Sequence, residues 1–131
     1  MQNILLIFLI FSLSACTLHA RFTPESDKLN DATQGVTYYE QINIFGGPVY
    51  SFDKNGSPKL VGEITPKDTG LYVQQCNDKM RNNCIQIRGV PTKAGIVKVR
   101  VSGGLSGAML QKSSQFDKTY TIIIKKPEGS S

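Results

Sequence analysis

The chain has 131 residues, of which 40% are hydrophobic and 19% charged, so it holds enough for one compact domain and too little for a multidomain enzyme. Its 15 Lys and Arg against 10 Asp and Glu give a net charge of +5, well short of the dense positive stripe of a nucleic-acid-binding protein. Twelve Gly and six Pro without a period exclude collagen-like and low-complexity chains, and we expect a small, turn-rich globular protein.

The chain begins with an apolar run, Ile4–Phe11, followed by the small residues of segment 12–16. This layout is typical of a secretory signal peptide, although no Lys or Arg precedes the apolar run. A transmembrane helix needs about 20 apolar residues, whereas polar residues return here from Thr17 onwards. We therefore predict a cleaved signal peptide over residues 1–15.

The end of this segment, Leu13-Ser14-Ala15-Cys16, resembles the lipobox of bacterial lipoproteins. The resemblance implies cleavage before Cys16, a diacylglycerol thioether on its sulfur and a fatty acid such as palmitate on its nitrogen. Two or three acyl chains anchor a protein stably to a membrane. Thr17 resembles the residue that follows the cysteine in outer-membrane lipoproteins, so we expect a lipid-anchored protein of the cell envelope, facing the periplasm if the source is Gram-negative. The alternative is a conventional signal peptide with an incidental Cys16 and a soluble secreted product.

The segment after the signal peptide, residues 16–35, shows neither helical nor strand periodicity and is rich in polar side chains. We predict a flexible tether there, with a root-mean-square reach of roughly 25 Å. The folded domain is then expected over residues 36–127, followed by a disordered tail over residues 128–131.

Alternating apolar residues predict several short strands in this domain. Each is rich in β-branched or aromatic residues, and they are Val36–Phe45, Val49–Phe52, Leu60–Ile64, Cys84–Arg88, Val97–Val101 and Thr119–Lys125. We expect Leu60–Ile64 to return from the second strand, Cys84–Arg88 and Val97–Val101 to be adjacent, and Gly103–Gly107 to be a flexible loop. No segment shows the 3.6-residue stripe of a helix of ordinary length, and the pattern predicts an all-β sandwich.

The segment Ile87–Gly95, followed by Val97–Val101, resembles the strand–turn–strand signature I-x-G-x-P-T-x-A-G of cadherin-like, immunoglobulin-type domains of bacteria. Weaker resemblances to the same domains are found at Ile64–Pro66, Gly70–Val73 and Tyr120–Ile124. Together they cover residues 36–125, with departures at the paired cysteines and at the insertion Gly103–Lys118. The resemblance implies an immunoglobulin-like β-sandwich that serves as an interaction or spacer module, without catalysis.

Two cysteines remain once Cys16 is lipidated. Cys76 and Cys84 form an even pair in an exported domain, which predicts a disulfide. Closing a ring of this size contributes about 2.5 kcal/mol on the chain-entropy model and holds the polar loop 77–83 in place. Two cysteines and His19 lack the number and spacing of a zinc site, and a redox pair usually has the form Cys-x-x-Cys, so we expect no metal and no cofactor.

Candidate catalytic residues are few, and we expect no enzyme. The single histidine, His19, lies in the predicted tether. Nothing in the spacing of the four most promising carboxylates places any two together; these are Glu40, Glu63, Asp68 and Asp117. The glycines of 103–107 lack the Lys-Ser/Thr ending of a phosphate-binding loop.

Basic residues form the remaining candidate surface. Lys93, Lys98 and Arg100 fall close together, and four more cations lie near the last strand, namely Lys112, Lys118, Lys125 and Lys126. The first three are candidates for binding anionic lipid headgroups or a cell-wall polymer. We favour the alternative that outward cations protect strands from edge-to-edge pairing.

Two functions follow for the exported domain. The first is a non-catalytic binding or scaffold module that contacts an envelope protein or a cell-wall component, with no nucleic-acid partner. The second is a small inhibitor of a hydrolase such as a lysozyme, in which the loop between Cys76 and Cys84 enters the cleft of the target.

Overall fold

A computed structural model describes residues 19–106 and 114–129 of the chain. The predicted signal peptide over residues 1–15 and the predicted lipidation site Cys16 lie outside the described residues, as does part of the insertion Gly103–Lys118 and the end of the predicted tail. No helix in the described part of the chain has the length and apolar character needed to cross a membrane.

Within these described residues, nine β-strands form two sheets, which confirms the predicted all-β sandwich. In chain order the strands are β1 (Arg21–Thr23), β2 (Ala32–Thr33), β3 (Tyr38–Phe45), β4 (Val49–Tyr50), β5 (Gly62–Thr65), β6 (Leu71–Gln75), β7 (Cys84–Gly89), β8 (Gly95–Leu105) and β9 (Gln115–Lys125). Two short 3-10 helices, at Lys67–Thr69 and Arg81–Asn83, interrupt the connections.

Each sheet combines strands from distant parts of the chain. The first sheet has the order β1-β3-β7-β6 and is antiparallel throughout. The second sheet has the order β2-β9-β8-β4, and β5 also pairs with β8. The pairing of β2 with β9 is parallel, and it places the early chain at the edge of the second sheet.

The core lies between the sheets and follows the alternation of the sequence. Because successive side chains on a strand point to opposite faces, every second residue faces inward. The buried residues with no more than 1% exposure include Ile42, Ile85, Ile87, Val97, Val99, Val101, Tyr120 and Ile122. The inward positions of Val97–Val101 and of the last strand are those that the alternation predicts.

The prediction of a flexible tether over residues 16–35 is wrong for the described part of that segment. β1 pairs with β3 and β2 pairs with β9, so both lie within the folded domain. The side chain of Leu29 is only 2% exposed and that of Ala32 only 3%. Strands of two or three residues are too short to show a period, which is why the sequence pattern does not reveal them.

The predicted adjacency of the strands Cys84–Arg88 and Val97–Val101 is also wrong. β7 belongs to the first sheet and β8 to the second, so the turn between them carries the chain across the sandwich. Gly89 has φ of +124°, and a Cβ atom there would lie 2.2 Å from the carbonyl oxygen of Gly70. This close approach requires glycine at the point where the chain leaves the first sheet.

Two smaller expectations need correction. The strand expected at Leu60–Ile64 to return from the second strand corresponds to β5, which pairs with β8 and not with β4. The segment Gly103–Gly107 is not simply a loop, because Gly103–Leu105 belongs to β8 and Gly104 is paired with Gln115.

Candidate functional site

The outer face of the first sheet carries two cross-strand rows of polar and aromatic side chains. The pairing registers place Arg88 of β7 between Tyr39 of β3 and Tyr72 of β6. Two residues further along each strand lies a second row, which consists of glutamines. Its middle member is Gln86 of β7, with Gln41 of β3 on one side and Gln74 of β6 on the other. We call this surface the tyrosine–amide face, and it consists of Tyr39, Gln41, Tyr72, Gln74, Gln86 and Arg88.

Hydrogen bonds and a cation–π contact order these side chains. The Arg88 guanidinium carbon lies 5.7 Å from the centre of the Tyr39 ring. The Tyr39 hydroxyl donates to Gln41 Oε1 at 2.9 Å. Within the glutamine row, Gln74 Nε2 donates to Gln86 Oε1 at 3.1 Å. Both tyrosines nevertheless keep about half of their surface exposed, at 52% for Tyr39 and 51% for Tyr72.

The charge of this face is unusual for an exposed sheet. The four strands of the first sheet contain no Lys or Asp, and their one carboxylate, Glu40, alternates with the outward residues and lies on the inner side with Tyr38 and Ile42. Arg88 forms no ion pair within the described residues. Protein interfaces are enriched in Tyr and Arg and depleted in Lys, Glu and Asp, which matches this composition.

The outer face of the second sheet has the opposite character, because its charges are paired with one another. Arg100 donates two hydrogen bonds to the carboxylate of Asp117, at 2.9 and 2.6 Å. This contact lowers the pKa of Asp117 below its usual value. Lys98 Nζ donates to the Thr121 hydroxyl at 2.8 Å. Such a surface is suited to contact with water.

The three cations that the sequence singles out do not form one open patch. Lys98 and Arg100 share the outer face of β8, whereas Lys93 lies in the turn before β8, where it contacts Asp68 at 2.6 Å. All three therefore have polar partners in the structure. Of the four further lysines, Lys118 contacts Asp27 and Lys125 contacts Asp31, while Lys112 lies outside the described residues.

The predicted disulfide between Cys76 and Cys84 is confirmed. It joins the end of β6 to the start of β7, where the Cys76 N–H also donates to the Cys84 carbonyl at 3.0 Å. The loop that it closes has two parts. Residues 77–81 are exposed and form its tip, whereas Asn82 and Asn83 turn inward.

Asn83 fixes this loop to the rest of the fold. Its Nδ2 donates to the carbonyls of Ile44 at 2.9 Å and Gly47 at 2.8 Å. Its Oδ1 accepts from the Val49 N–H at 3.1 Å. The loop is therefore held by its own side chains as well as by the disulfide.

The carboxylates named above do not form a catalytic pair. Asp68 and Asp117 are each bound to a cation, and Glu63 lies opposite Arg100 on β5. Burial raises the pKa of Glu40, against a hydrogen bond from Asn30 Nδ2 at 3.0 Å. Within the described chain there is no group of three or more His, Cys, Asp or Glu side chains that could hold a metal ion.

The buried tyrosines have structural roles. The Tyr120 hydroxyl donates to the Pro24 carbonyl at 2.7 Å, and burial raises the pKa of Tyr120 to about 12. The Tyr38 hydroxyl donates to the Asn30 carbonyl at 2.7 Å, and burial raises its pKa as well. Both bonds tie the early chain, which the sequence pattern did not place in the domain, to the sandwich.

A cleft of about 400 Å³ lies beside β4, with Tyr50, Phe52, Lys59 and Gln115 among its lining residues. The rings of Tyr50 and Phe52 are nearly parallel, with centres 6.4 Å apart and planes at 6°. Tyr50 and Phe52 are two residues apart in an extended segment, and this spacing places both rings on one face. It is the one sequence signal that could have revealed the pair.

No family model and no curated protein matches this chain. Among solved structures, an endo-fucoidan hydrolase of glycoside hydrolase family 107 is similar over 84% of this chain, with a TM-score of 0.50 and 14% identity. The surface layer protein SbsC, domains 1–6, is similar over 88% of this chain, with a TM-score of 0.47 and 9% identity. The chain spans 14% of the length of each of these two structures. The similarity to the hydrolase shows the β-rich fold alone.

Proposed function

We propose that this chain is a lipid-anchored protein of the cell envelope whose β-sandwich is a non-catalytic binding module for another envelope protein. The observation that supports this function is the tyrosine–amide face, an exposed sheet surface rich in Tyr, Gln and Arg on strands that have no outward carboxylate. The lipobox-like sequence ending at Cys16 supports the anchor.

The chemistry of the face suits a protein partner. A tyrosine ring supplies a large, rigid contact area and loses little conformational entropy when it is buried. Arg88 lies between two such rings and offers a planar fork of donors to a carboxylate or a carbonyl of the partner. The glutamine row adds donors and acceptors along the sheet. In interfaces of this kind a few central Tyr and Arg residues supply most of the binding energy.

The absence of catalysis belongs to the same proposal. Three features of the described residues support it: Asp68 and Asp117 are neutralised by cations, Glu40 is held by Asn30, and no metal-binding cluster is found among them. Tyr38 and Tyr120, whose pKa values are raised by burial, each donate a hydrogen bond to a backbone carbonyl of the early chain and so hold the fold together.

Site-specific cross-linking in intact cells tests the binding face. A photo-cross-linking residue in place of Tyr72 should capture one discrete envelope protein, and Arg88→Glu in the same chain should abolish the product. The matched control replaces Thr119, which is exposed on the outer face of the second sheet. Equal capture from both positions, or capture that survives Arg88→Glu, would contradict the proposal.

The anchor is tested separately by intact mass. Protein purified from the producing cells should begin at Cys16 and carry the added mass of a diacylglycerol and an acyl chain, and Cys16→Ser should release it from the membrane fraction. An unmodified chain that retains residues 1–15 would show that no anchor is present.

A second function, inhibition of a hydrolase such as a lysozyme, is supported by the exposed tip of the disulfide loop. Asn77–Arg81 protrudes from a base fixed by the disulfide and by Asn83. Titration of the protein into a lysozyme assay tests this function. If replacement of residues 77–81 by glycine and serine abolishes inhibition while Tyr72→Ala does not, the loop carries the inhibition, whereas no inhibition by the unchanged protein would contradict this second function.

A further inference from the structure

The described chain enters the sandwich at one end, which we call the anchor end. The carbonyl oxygen of His19 lies so close to Gly46 that a Cβ atom on Gly46 would be 2.5 Å from it. The same end carries the turn between β3 and β4, where the Ser106 N–H donates to the Pro48 carbonyl at 2.7 Å. It also carries the disulfide loop, which Asn83 ties to that turn.

The length of chain before this point limits how far the domain can stand from a membrane. Three residue-to-residue steps lead from Cys16 to His19, and a fully extended chain covers at most about 3.6 Å per step, or about 11 Å in all. A lipid on Cys16 therefore holds the anchor end within about one helix diameter of the lipid surface.

The anchor end exposes side chains that favour the interface between lipid and water. Phe45 is 45% exposed, Tyr50 is 39% exposed and Met80, in the disulfide loop, is 42% exposed. Phe52 stacks beside Tyr50 and is 50% exposed. Aromatic side chains concentrate at the headgroup level of membranes. Amphipathic protein surfaces bury such side chains at the boundary between headgroups and acyl chains.

The opposite end of the sandwich also exposes large side chains. Besides the tyrosines of the tyrosine–amide face, they are the aliphatic residues Val36, Val90 and Ile96. Aliphatic side chains lack the amphipathic ring that makes Tyr an interfacial residue. These three aliphatic residues therefore supply control positions of similar or greater exposure, at 55% for Val36, 43% for Val90 and 63% for Ile96.

The anchor end also carries cations without a carboxylate partner among the described residues. Arg21, Lys79 and Arg81 at the anchor end form no ion pair with any residue that the structure describes. At the opposite end, Lys93 contacts Asp68 at 2.6 Å and Lys125 contacts Asp31 at 2.8 Å, whereas Arg88 forms no ion pair with any described residue. The anchor end thus keeps cations available for anionic lipid headgroups, which attract basic side chains near the surface of a charged membrane.

From this we propose that the anchor end docks directly on the membrane, with Phe45, Tyr50 and Met80 at the headgroup level and its unpaired cations against anionic headgroups. The inference rests on the proposed lipid anchor at Cys16. It orients the whole domain, because the row of Tyr39 and Arg88 lies toward the far end of the first sheet. It also directs the tip of the disulfide loop to the lipid, where a soluble hydrolase does not reach it.

Fluorescence quenching in vesicles tests this docking. The full chain, purified with its lipid, is reconstituted into phosphatidylcholine vesicles with and without phosphatidylglycerol, and with a nitroxide on the lipid headgroup. Lipidation consumes the thiol of Cys16 and the disulfide those of the other pair, so a cysteine introduced at Asp78 or Ile96 is the one site for a fluorophore. We expect strong quenching of the label at position 78 and little at position 96, with the difference largest in the anionic vesicles.

Paired substitutions make the test specific. Phe45→Ser with Tyr50→Ser should remove most of the quenching at position 78, whereas the control pair Val36→Ser with Val90→Ser should leave it unchanged. Thermal unfolding of both pairs shows that the domain remains folded.

The outcomes separate the two proposals. Equal quenching of the labels at Asp78 and Ile96 on protein whose mass includes the lipid would overturn the docking and leave the anchor intact. Protein that lacks the lipid mass would overturn both. Quenching that survives Phe45→Ser with Tyr50→Ser would show that proximity comes from the lipid alone, and it would also overturn the docking.

Discussion

Replacement of Leu29 by Ala tests whether the chain before β3 is part of the folded domain. The side chain of Leu29 is 2% exposed, and its N–H donates to the Thr121 carbonyl of β9 at 3.0 Å. Truncation of a buried Leu to Ala removes its transfer free energy and leaves a cavity, at a cost of about 2–5 kcal/mol. We expect Leu29→Ala to lower the free energy of unfolding by about 3 kcal/mol. A flexible tether would instead predict no change.

Urea unfolding followed by circular dichroism measures this difference. The midpoint should fall for Leu29→Ala with little change in the slope m, because the native fold is retained. Leu60→Ala is the matched control: the same atoms are removed from a side chain that is 40% exposed, and we expect a loss below about 1 kcal/mol. If Leu29→Ala costs no more than Leu60→Ala, the segment does not pack as described.

Three further predictions concern the stability of the domain. Asn83→Ala removes three hydrogen bonds to backbone groups and should cost about 2–3 kcal/mol in urea unfolding, whereas Asn55→Ala in an exposed turn should cost less than about 1 kcal/mol; equal losses would contradict the role of Asn83. Burial raises the pKa of Glu40 above 4.5, so the protonated form favours folding below that pH and this contribution is lost as the pH rises through the folded pKa. Glu40→Gln should therefore stabilise the protein at pH 7, with a gain in urea midpoint that disappears when the same measurement is made below about pH 4, and an equal gain at both pH values would refute the assignment. Removal of the disulfide by Cys76→Ser with Cys84→Ser should lower the free energy of unfolding by up to about 2.5 kcal/mol, with a native circular dichroism spectrum retained, and complete unfolding of the variant would show that the bond is needed for the fold itself.

The inward faces of the longer strands could be predicted from the sequence because burial and side-chain alternation have the same period of two. In β8, Val97, Val99 and Val101 face the core, and the cations between them face outward. In β9, Tyr120 and Ile122 are buried in the same way. A residue's side of a strand is a local property, so a local pattern is sufficient to predict it.

The assignment of strands to sheets could not be predicted in this way, because a strand's partner is not encoded in its own residues. β7 and β8 are consecutive, yet they lie in different sheets. The turn between them depends on the approach of Gly89 to Gly70, a contact between segments that are distant in sequence. β1 and β2 are stabilised by their partners β3 and β9, and their own two or three residues carry too little pattern.

The tyrosine–amide face was missed for the same reason. Tyr39, Tyr72 and Arg88 come from three strands, and each resembles an ordinary exposed residue when its own strand is considered alone. The exposed alternation of Tyr39 and Gln41 with buried residues is a real local signal, but it predicts a solvated face as readily as a binding face. The pairing registers turn these scattered residues into one surface.

Because residues 21–33 belong to the folded domain, the link to Cys16 is shorter than the predicted tether. This changes how the tyrosine–amide face would be oriented toward a partner. β3 runs from the far end of the first sheet to the anchor end, and Tyr39 precedes Phe45 by six residues along it. At about 3.3 Å per residue the row of Tyr39 and Arg88 stands about 20 Å from Phe45, close to the reach that a flexible tether of 20 residues would give. If Cys16 carries the proposed lipid, the rigid strand would fix the direction as well as the distance, so that a partner would meet the face at one height and orientation above the membrane. The entropy that a flexible tether would lose on binding would then already be lost on folding, which would favour a tight contact with the proposed partner.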